Sequence, residues 1–297
     1  MGSRLAVALL WVLHWLPLPA LAALGRVVGR VLYRLARSRR RIAARNLELC
    51  FPQMPAPERE ALAREHFQWL ARSLLERSLL WYASENRLRR LIHVEGDVSF
   101  ADRSDRPVMF LVPHFMALDV AGVAEQLHVQ RMVASIYQTQ SDKVFDGVVR
   151  RGRMRFGRAE LFSRKESARP LMRCIKQGHA FFNLPDMDFG RKDSAFVPFF
   201  GVSASTLLAP SRMARALGMV VQPIVGEILP GGQGYRVRFL EPWQHFPTDN
   251  AEADALAMNQ WIESEIRRNP AQYLWVHKRF KTRPAGERSV YARAAAR

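Results

Sequence analysis

The first part of the chain is almost uniformly apolar. Between residues 5 and 24 the only clearly polar side chain is that of His14. Twenty apolar residues in a helix are long enough to cross a bilayer. The pattern therefore predicts a membrane-anchoring helix over residues 1–25. Pro17 and Pro19 interrupt the run, so the alternative is a helix that enters one leaflet and turns back.

A basic stretch follows directly. Eight arginines lie between residues 26 and 45 with no acid among them, and apolar residues recur between them at helical spacing. This pattern predicts a basic amphipathic helix over residues 27–44 that lies on an anionic membrane surface. A secretory signal carries its charge before the apolar run, so we expect no cleavage here. By the positive-inside rule, the arginines and the downstream chain stay in the cytoplasm.

The remaining sequence changes from helical periodicity to an alternating pattern. A helix start with proline and acids at Ala56-Pro57-Glu58 opens an apolar face that continues to about Tyr82. We expect residues 26–92 to form a basic and helical cap region. Residues 93–288 alternate short apolar runs with helical segments, which predicts an α/β domain with a mixed, mostly parallel sheet flanked by helices. Residues 289–297 are expected to be a disordered tail.

Individual elements of this domain follow from the same patterns. Strands are predicted at Val108–Val112, Met132–Tyr137, His179–Leu184, Val220–Val225 and Tyr235–Leu240. Helices are predicted at Leu118–Leu127, Val144–Arg155, Ser167–Gln177, Ser205–Leu217 and Asp249–Arg268. In open α/β sheets, ligands bind where the strands end.

Composition narrows the class of function. The 297 residues are 48% hydrophobic, which is typical of one large or two modest globular domains. The net charge of +18 comes mostly from arginine and favours an anionic partner, whether lipid, acidic protein or nucleic acid. Cys50 and Cys174 are too few for a disulfide framework or a thiol metal cage.

The segment from Phe110 to Asp119 carries the candidate chemistry. Pro113 stops the predicted strand, so His114 lies at its carboxyl end and Asp119 lies in the first turn of the next helix. A carboxylate there would accept a hydrogen bond from one imidazole nitrogen and leave the other as a general base. The alternative is a structural histidine beside a strand.

Other charged residues are candidates for binding. Asp186 and Asp188 follow a second strand at the same predicted edge, and they could pair with arginines or form a turn. Two carboxylates are too few for a metal site, and we expect no metal and no cofactor. Phosphate-binding candidates are Arg150, Arg151, Arg153, Arg155 and Arg158, unless they form a solvated face. The tail Gln272–Pro284 mixes aromatics with cations, as membrane-interface and single-strand-binding segments do, and the predicted anchor favours the membrane interface.

These segments together resemble one family, the late acyltransferases of lipid A biosynthesis, which add secondary lauroyl or myristoyl chains. The likeness extends from about residue 5 to 288. It is carried by Asn46–Pro52, the box from His114 to Asp119, Gly152–Arg155, Pro185–Gly190, Phe196–Gly201 and Gln272–Pro284. The His box is shared with the wider glycerolipid acyltransferase superfamily, whereas the last three segments are more specific. One departure is Asp119, where lipid A members usually carry glutamate.

The resemblance implies a bacterial inner-membrane enzyme whose catalytic domain faces the cytoplasm. It implies an acyl carrier protein thioester as donor and, as acceptor, the hydroxyl of a 3-hydroxyacyl chain on a phosphorylated lipid A precursor. His114 would be the general base and Asp119 would orient it. Arg153, helped by Arg150, Arg151 and Arg155, would bind a phosphate, and Asp186 would orient an arginine or a sugar hydroxyl.

Two alternatives remain. The first is an acyltransferase for another lipid acceptor, such as lysophosphatidate or an ornithine lipid. The second is a membrane-tethered basic protein that binds nucleic acid or anionic lipid, in which His114 and Asp119 are structural. The ordered set of motifs favours the enzyme, with an anionic membrane and acyl carrier protein as partners and no nucleic acid.

Overall fold

The computed structural model describes residues 2–166 and 168–292, which form eleven α-helices and nine β-strands. The helices are α1 (Gly2–Leu13), α2 (Leu18–Leu35), α3 (Arg37–Cys50), α4 (Ala56–Tyr82), α5 (Glu85–Leu91), α6 (Phe100–Arg103), α7 (Leu118–His128), α8 (Lys143–Arg153), α9 (Arg169–Lys176), α10 (Ala209–Leu217) and α11 (Ala251–Arg268). The strands are β1 (Ile92–Gly96), β2 (Val108–Leu111), β3 (Val133–Tyr137), β4 (Ala159–Ser163), β5 (Ala180–Asn183), β6 (Ser194–Phe199), β7 (Val202–Leu207), β8 (Val220–Ile228) and β9 (Tyr235–Phe239).

Seven strands form one sheet in the order β1-β9-β8-β2-β5-β3-β4. Strands β8, β2, β5, β3 and β4 run parallel to one another, whereas β9 is antiparallel to β8 and parallel to β1. Strands β6 and β7 form a separate antiparallel hairpin. The predicted α/β class with a mixed, mostly parallel sheet is confirmed, and all five predicted strands belong to this sheet.

The central strands are continuous apolar runs because helices cover both faces of the sheet. All four residues of β2 are buried. Val108 and Phe110 pack in a cluster with α7, while Met109 and Leu111 pack in a second cluster with α9, α10 and α11. The N-terminal helices share the first cluster, since Leu13 of α1 is buried in it. They therefore pack directly against the sheet domain.

The N-terminal predictions need correction. The single anchor helix over residues 1–25 is wrong, because the chain turns before Pro17 and is divided between α1 and α2. Within residues 2–166 and 168–292, no helix combines the length and apolar character needed to cross a bilayer. The single amphipathic helix over residues 27–44 is also wrong, because Ala36 separates α2 from α3. The long helix α4, by contrast, has the predicted bounds.

Further along the chain, one helix was predicted to begin too early. Ser205 lies in β7, and α10 begins only at Ala209. The reason is the β6–β7 hairpin, in which Phe196 pairs with Ser205. The helix predicted from Ser167 begins at Arg169, and Ser167 itself lies outside the described residues. Of the predicted tail 289–297, residues 293–297 also lie outside them.

Candidate active site

His114 and Asp186 meet because they follow neighbouring parallel strands. Leu111 of β2 lies opposite Asn183 of β5. His114 follows Leu111 by three residues, and Asp186 follows Asn183 by three residues. Asp186 accepts two hydrogen bonds from His114. The backbone N–H of His114 donates to Oδ2 at 2.9 Å, and the ring Nδ1 lies 2.7 Å from Oδ1.

This contact fixes the imidazole and leaves one nitrogen accessible. The Asp186 side chain is 1% exposed and that of His114 is 15% exposed. Burial opposes ionisation of Asp186, but the charge and hydrogen bonds of His114 outweigh it and lower the pKa of the carboxyl, with help from Tyr273. The ionised Asp186 orients Nδ1–H toward itself. Among the described residues Nε2 has no hydrogen-bond partner, so it is free to take a proton.

The predicted contact between His114 and Asp119 is wrong. The Asp119 carboxylate instead accepts from Arg77 Nε at 2.7 Å and from Arg153 Nε at 2.9 Å. Two guanidinium groups bind a carboxylate more strongly than one imidazole does. Although burial opposes ionisation, the charges of Arg153 and Arg77 hold the pKa of Asp119 far below its ordinary value. Of the two roles predicted for Asp186, orienting an arginine is wrong, because both of its carboxylate oxygens accept from His114. Orienting a sugar hydroxyl stays a prediction.

The structure separates the predicted arginines. Arg153 alone among them reaches Asp119, whereas Arg150 donates to the Tyr137 hydroxyl at 3.0 Å. Arg155 donates to carbonyls at the carboxyl end of α4, those of Leu80 and Ala83. Arg151 is exposed and has no ion-pair partner within the described part of the chain. Arg77, which sequence reasoning missed, comes from α4, and no motif marks it.

The C-terminal segment holds the histidine loop in place. Leu274 donates its N–H to the His114 carbonyl at 3.0 Å, and Met116 donates to the Gln272 carbonyl at 2.8 Å. Asp188 accepts from the backbone and hydroxyl of Thr282, at 2.6 and 2.7 Å. The aromatic residues of this segment are buried, so the predicted interfacial role for them is wrong. The segment instead holds the loops after β2 and β5 in place through these hydrogen bonds.

A second histidine of this segment lies near the first. Burial, and the charge that His114 carries when it is protonated, lower the pKa of His277 to about 4. Its Nε2 lies 3.3 Å from the backbone N of Asp188 and accepts a hydrogen bond from it. His277 is therefore neutral near pH 7 and supports the loop that carries Asp186. The resemblance segment ending at Pro284 contained this residue, but nothing in its pattern distinguished it as part of the site.

A cavity of about 60 Å³ adjoins Asp119 and Arg153. Helices α4, α7 and α8 form one side of it, and strands β3, β4 and β5 form the other. Its apolar lining consists of Leu80, Trp81, Leu118, Gly122, Val123, Val133, Gly152, Ala159, Leu161, Phe182 and Leu184. The polar lining residues are Asp119, Glu125, Gln126, Ser135 and Arg153. Such a lining suits an alkyl chain more than a charged group.

One group with the composition of a metal site lies elsewhere. Ligand atoms of Glu160, Cys174 and His179 fall within 4.8 Å of one another. Glu160 is the second residue of β4 and His179 precedes β5, so the group lies at the amino edge of the sheet, opposite His114. Burial and the hydrogen bond to Glu160 raise the pKa of the Cys174 thiol, which disfavours the thiolate that a metal needs.

The chain is similar to known proteins over most of its length. The family described as bacterial lipid A biosynthesis acyltransferase matches residues 2–282. Among similar curated proteins, the lipid A biosynthesis palmitoleoyltransferase of Escherichia coli strain K12 is 37% identical, over 96% of this chain and 92% of its own. The lauroyltransferase of the same strain is 33% identical over 97% and 94%, and the myristoyltransferase is 33% identical over 93% and 84%.

Proposed function

Because the chain belongs to the bacterial lipid A biosynthesis acyltransferase family, we propose that it transfers a fatty acyl chain from acyl carrier protein to the hydroxyl of a 3-hydroxyacyl chain on a lipid A precursor. The observation that supports this reaction most directly is the imidazole of His114, fixed by Asp186 and partly open at Nε2. A general base at this point is what activation of a hydroxyl requires.

In the proposed reaction, Nε2 of His114 removes the proton of the acceptor hydroxyl while its oxygen attacks the thioester carbonyl. The new C–O bond forms, the C–S bond breaks, and the departing thiolate takes the proton back from the imidazolium. Asp186 stabilises that imidazolium and keeps the proton of the resting imidazole on Nδ1. No covalent enzyme intermediate is needed, because the substrate itself supplies the nucleophile.

The group formed by Arg77, Asp119 and Arg153 has a different role in this proposal. Two guanidinium charges against one carboxylate leave a net charge of +1. The arginine side chains are 28% and 30% exposed, so their free N–H groups can reach a ligand. Asp119 would hold both arginines in position to bind a phosphate of the donor or the acceptor. Arg150 and Arg155 donate to other groups of the protein. Arg151 is a candidate for binding the phosphate only because its side chain is exposed.

The proposed location is the cytoplasmic face of the inner membrane. Large apolar side chains are exposed along α1, the turn after it and α2, namely Leu5, Leu9, Trp11, Val12, Trp15, Leu16, Leu24, Val27, Val31 and Leu35. We call this set the N-terminal apolar surface. Arginines at positions 26, 30 and 34 interrupt it. An exposed apolar surface bordered by arginines suits insertion into the headgroup region of an anionic membrane.

One experiment separates the proposed acceptor from its alternatives. Purified protein receives lauroyl acyl carrier protein with a lipid A precursor, lysophosphatidate or ornithine lipid, and mass spectrometry identifies each product. We expect acylation of the lipid A precursor, and His114→Ala should slow it by about 10²–10⁴. Preference for another acceptor would overturn the substrate. No thioester consumption with any acceptor would favour the basic binding protein.

A further inference from the structure

Glu125 has no evident task in the mechanism, although it is buried beside the site. It lies on α7 in the wall of the cavity, with 2% of its surface exposed. Its Oε1 has no hydrogen-bond partner among the described residues. Burial raises the pKa of the carboxyl well above its ordinary value, against a smaller opposite effect of Arg158. A buried polar atom without a partner requires a physical reason.

The position of Glu125 places it at the far end of the cavity. Helix α7 connects parallel strands β2 and β3, so it runs back from the edge of the sheet that carries His114. Asp119 lies in its first turn, and Glu125 follows six residues later, about 9 Å along the helix axis. Val133 and Ala159, the first residues of β3 and β4, also line the cavity. The cavity thus extends from the edge near Asp119 toward the opposite edge.

The far end is more polar than the walls before it. Next to Glu125, Gln126 donates through Nε2 to the carbonyls of Gly122 and Arg153, and its Oε1 has no partner within the described part. A neutral carboxyl and an amide oxygen together offer one donor and several acceptors. A cavity holds a water molecule when it offers about 10–15 Å³ and polar partners, and this cavity provides both.

We propose that the methyl end of the donor's acyl chain enters this cavity, which has room for about two water-sized groups, and that Glu125, together with Gln126, sets the longest chain accepted. The inference rests on the proposed acyl transfer. A chain that stops short leaves the polar end hydrated. A longer chain pushes its methyl end against the carboxyl and the amide, displaces that water and leaves both groups without partners. Long donors are therefore disfavoured because burying an unpartnered polar group carries a free-energy penalty.

The first test exchanges the carboxyl for groups of similar size. Glu125→Leu removes the carboxyl from the polar end, and Glu125→Gln keeps a polar group there. Wild type and both variants receive an equimolar mixture of lauroyl, myristoyl and palmitoyl acyl carrier protein, and product ratios are measured. We expect Glu125→Leu to raise the palmitoyl-to-lauroyl ratio roughly tenfold, which corresponds to about 1.4 kcal/mol. Glu125→Gln should keep the wild-type ratio. Equal ratios in wild type and Glu125→Leu would overturn the proposal.

A second variant tests the cavity itself without touching its polar end. A Cβ at Gly122 would lie 4.0 Å from Phe182 Cζ, which is an ordinary contact, so Gly122→Ala narrows the cavity without moving the backbone. We expect it to shift the product ratio toward lauroyl. Gly147→Ala is the matched control, because it makes the same change in α8 outside the cavity and meets only the flexible Arg151. The same shift in both variants would contradict the assignment of the cavity.

A binding measurement separates this inference from the proposed function. The increase in melting temperature caused by S-acyl pantetheine thioesters of the same three chain lengths is measured without acceptor. We expect palmitoyl thioester to stabilise Glu125→Leu more than wild type. If this occurs while no acceptor is acylated, the chain-length limit stands and the proposed reaction fails. If acylation occurs but chain length affects both proteins alike, the reaction stands and the role of Glu125 fails.

Discussion

At the scale of single residues, Asp186 binds His114 through both of its carboxylate oxygens. Its two oxygens accept from two different donors of the same residue, the backbone N–H and the ring Nδ1 of His114. The side chain therefore positions the loop and the ring together. Tyr273, whose pKa is raised well above its ordinary value by burial and by the charge of Asp186, remains protonated and supports the carboxylate.

The buried His66 should make the stability of the fold depend on pH. His66 of α4 is fully buried, and its Nδ1 lies 3.1 Å from the Ala271 carbonyl. Burial lowers the pKa of its ring from 6.5 to about 4. Between these values the unfolded chain binds a proton that the folded chain does not. The free energy of unfolding should therefore fall as the pH falls from 6.5 toward 4, by up to about 1.4 kcal/mol per pH unit for one proton.

Denaturant unfolding of wild type and His66→Gln across this pH range checks the prediction. Glutamine can still donate to the Ala271 carbonyl but does not titrate. The variant should lose less stability on acidification than wild type. It should keep part of the loss, because the lowered pKa of His277 acts in the same range. Identical pH dependence in the two proteins would show that His66 does not contribute.

At the scale of elements, helix α2 lies unusually close to α4. A Cβ at Gly29 would lie 2.4 Å from the Cα of Gln68 and 2.6 Å from the carbonyl oxygen of Phe67. These are backbone atoms, so a side chain at Gly29 would force the two helices apart. Gly29→Ala should lower the free energy of unfolding by about 1–3 kcal/mol, the usual range for overpacking.

Equilibrium unfolding in urea measures this effect, with Gly147→Ala as the control. Alanine has the higher helix propensity by about 1 kcal/mol, so without the clash Gly29→Ala would be stabilising. A loss of stability in Gly29→Ala would therefore indicate a clash between the two helices, whereas a gain would indicate that there is none. A stability equal to or above wild type would contradict the close packing of α2 on α4.

The elements that sequence patterns predicted well are those with strong local signals. Strand β2 is a continuous apolar run, and α4 has a proline start and a long apolar face. The β6–β7 hairpin was missed because its turn is Phe200-Gly201, both with positive φ, and lacks the usual Asn-Gly signal. Pro198 within β6 also argues against a strand. Strand β4 was missed because none of its residues is fully buried.

The difference between local and long-range signals also explains which site residues were predicted correctly. His114 was predicted correctly at a strand end, since the apolar run and Pro113 are adjacent to it in sequence. The predicted partner of His114 was Asp119, which is close to it in sequence, and this prediction was wrong. The true partner follows β5, and the pairing of β2 with β5 is a long-range contact that no local pattern contains. Arg77 was missed for the same reason, because it lies 42 positions before Asp119.

At the scale of the whole molecule, the proposed membrane contact depends on both charge and apolar surface. The net charge is +18, and the N-terminal apolar surface includes Trp15, which is 68% exposed. Binding to vesicles that contain anionic phosphatidylglycerol should exceed binding to neutral phosphatidylcholine and should weaken as salt rises. Trp15→Ser should weaken binding at every salt concentration, because it removes apolar contact rather than charge.

Vesicle flotation measures this binding, and Phe196→Ser is the matched control. Phe196 is an exposed aromatic on the β6–β7 hairpin, outside the N-terminal apolar surface. It should leave flotation unchanged. Equal losses in both variants would show that the membrane contact is not confined to α1 and α2. Binding that ignores both salt and lipid charge would contradict a role for the arginines.

The central claim is that Asp186 holds His114 as the base, and the single-turnover rate of acyl transfer by Asp186→Asn tests it most directly. An amide at this position can offer only one acceptor, so its NH₂ must face one of the two His114 donors. With folding confirmed by an unchanged circular dichroism spectrum, we expect the rate to fall by about 10²–10⁴. A variant that transfers the acyl chain at the wild-type rate would contradict the account.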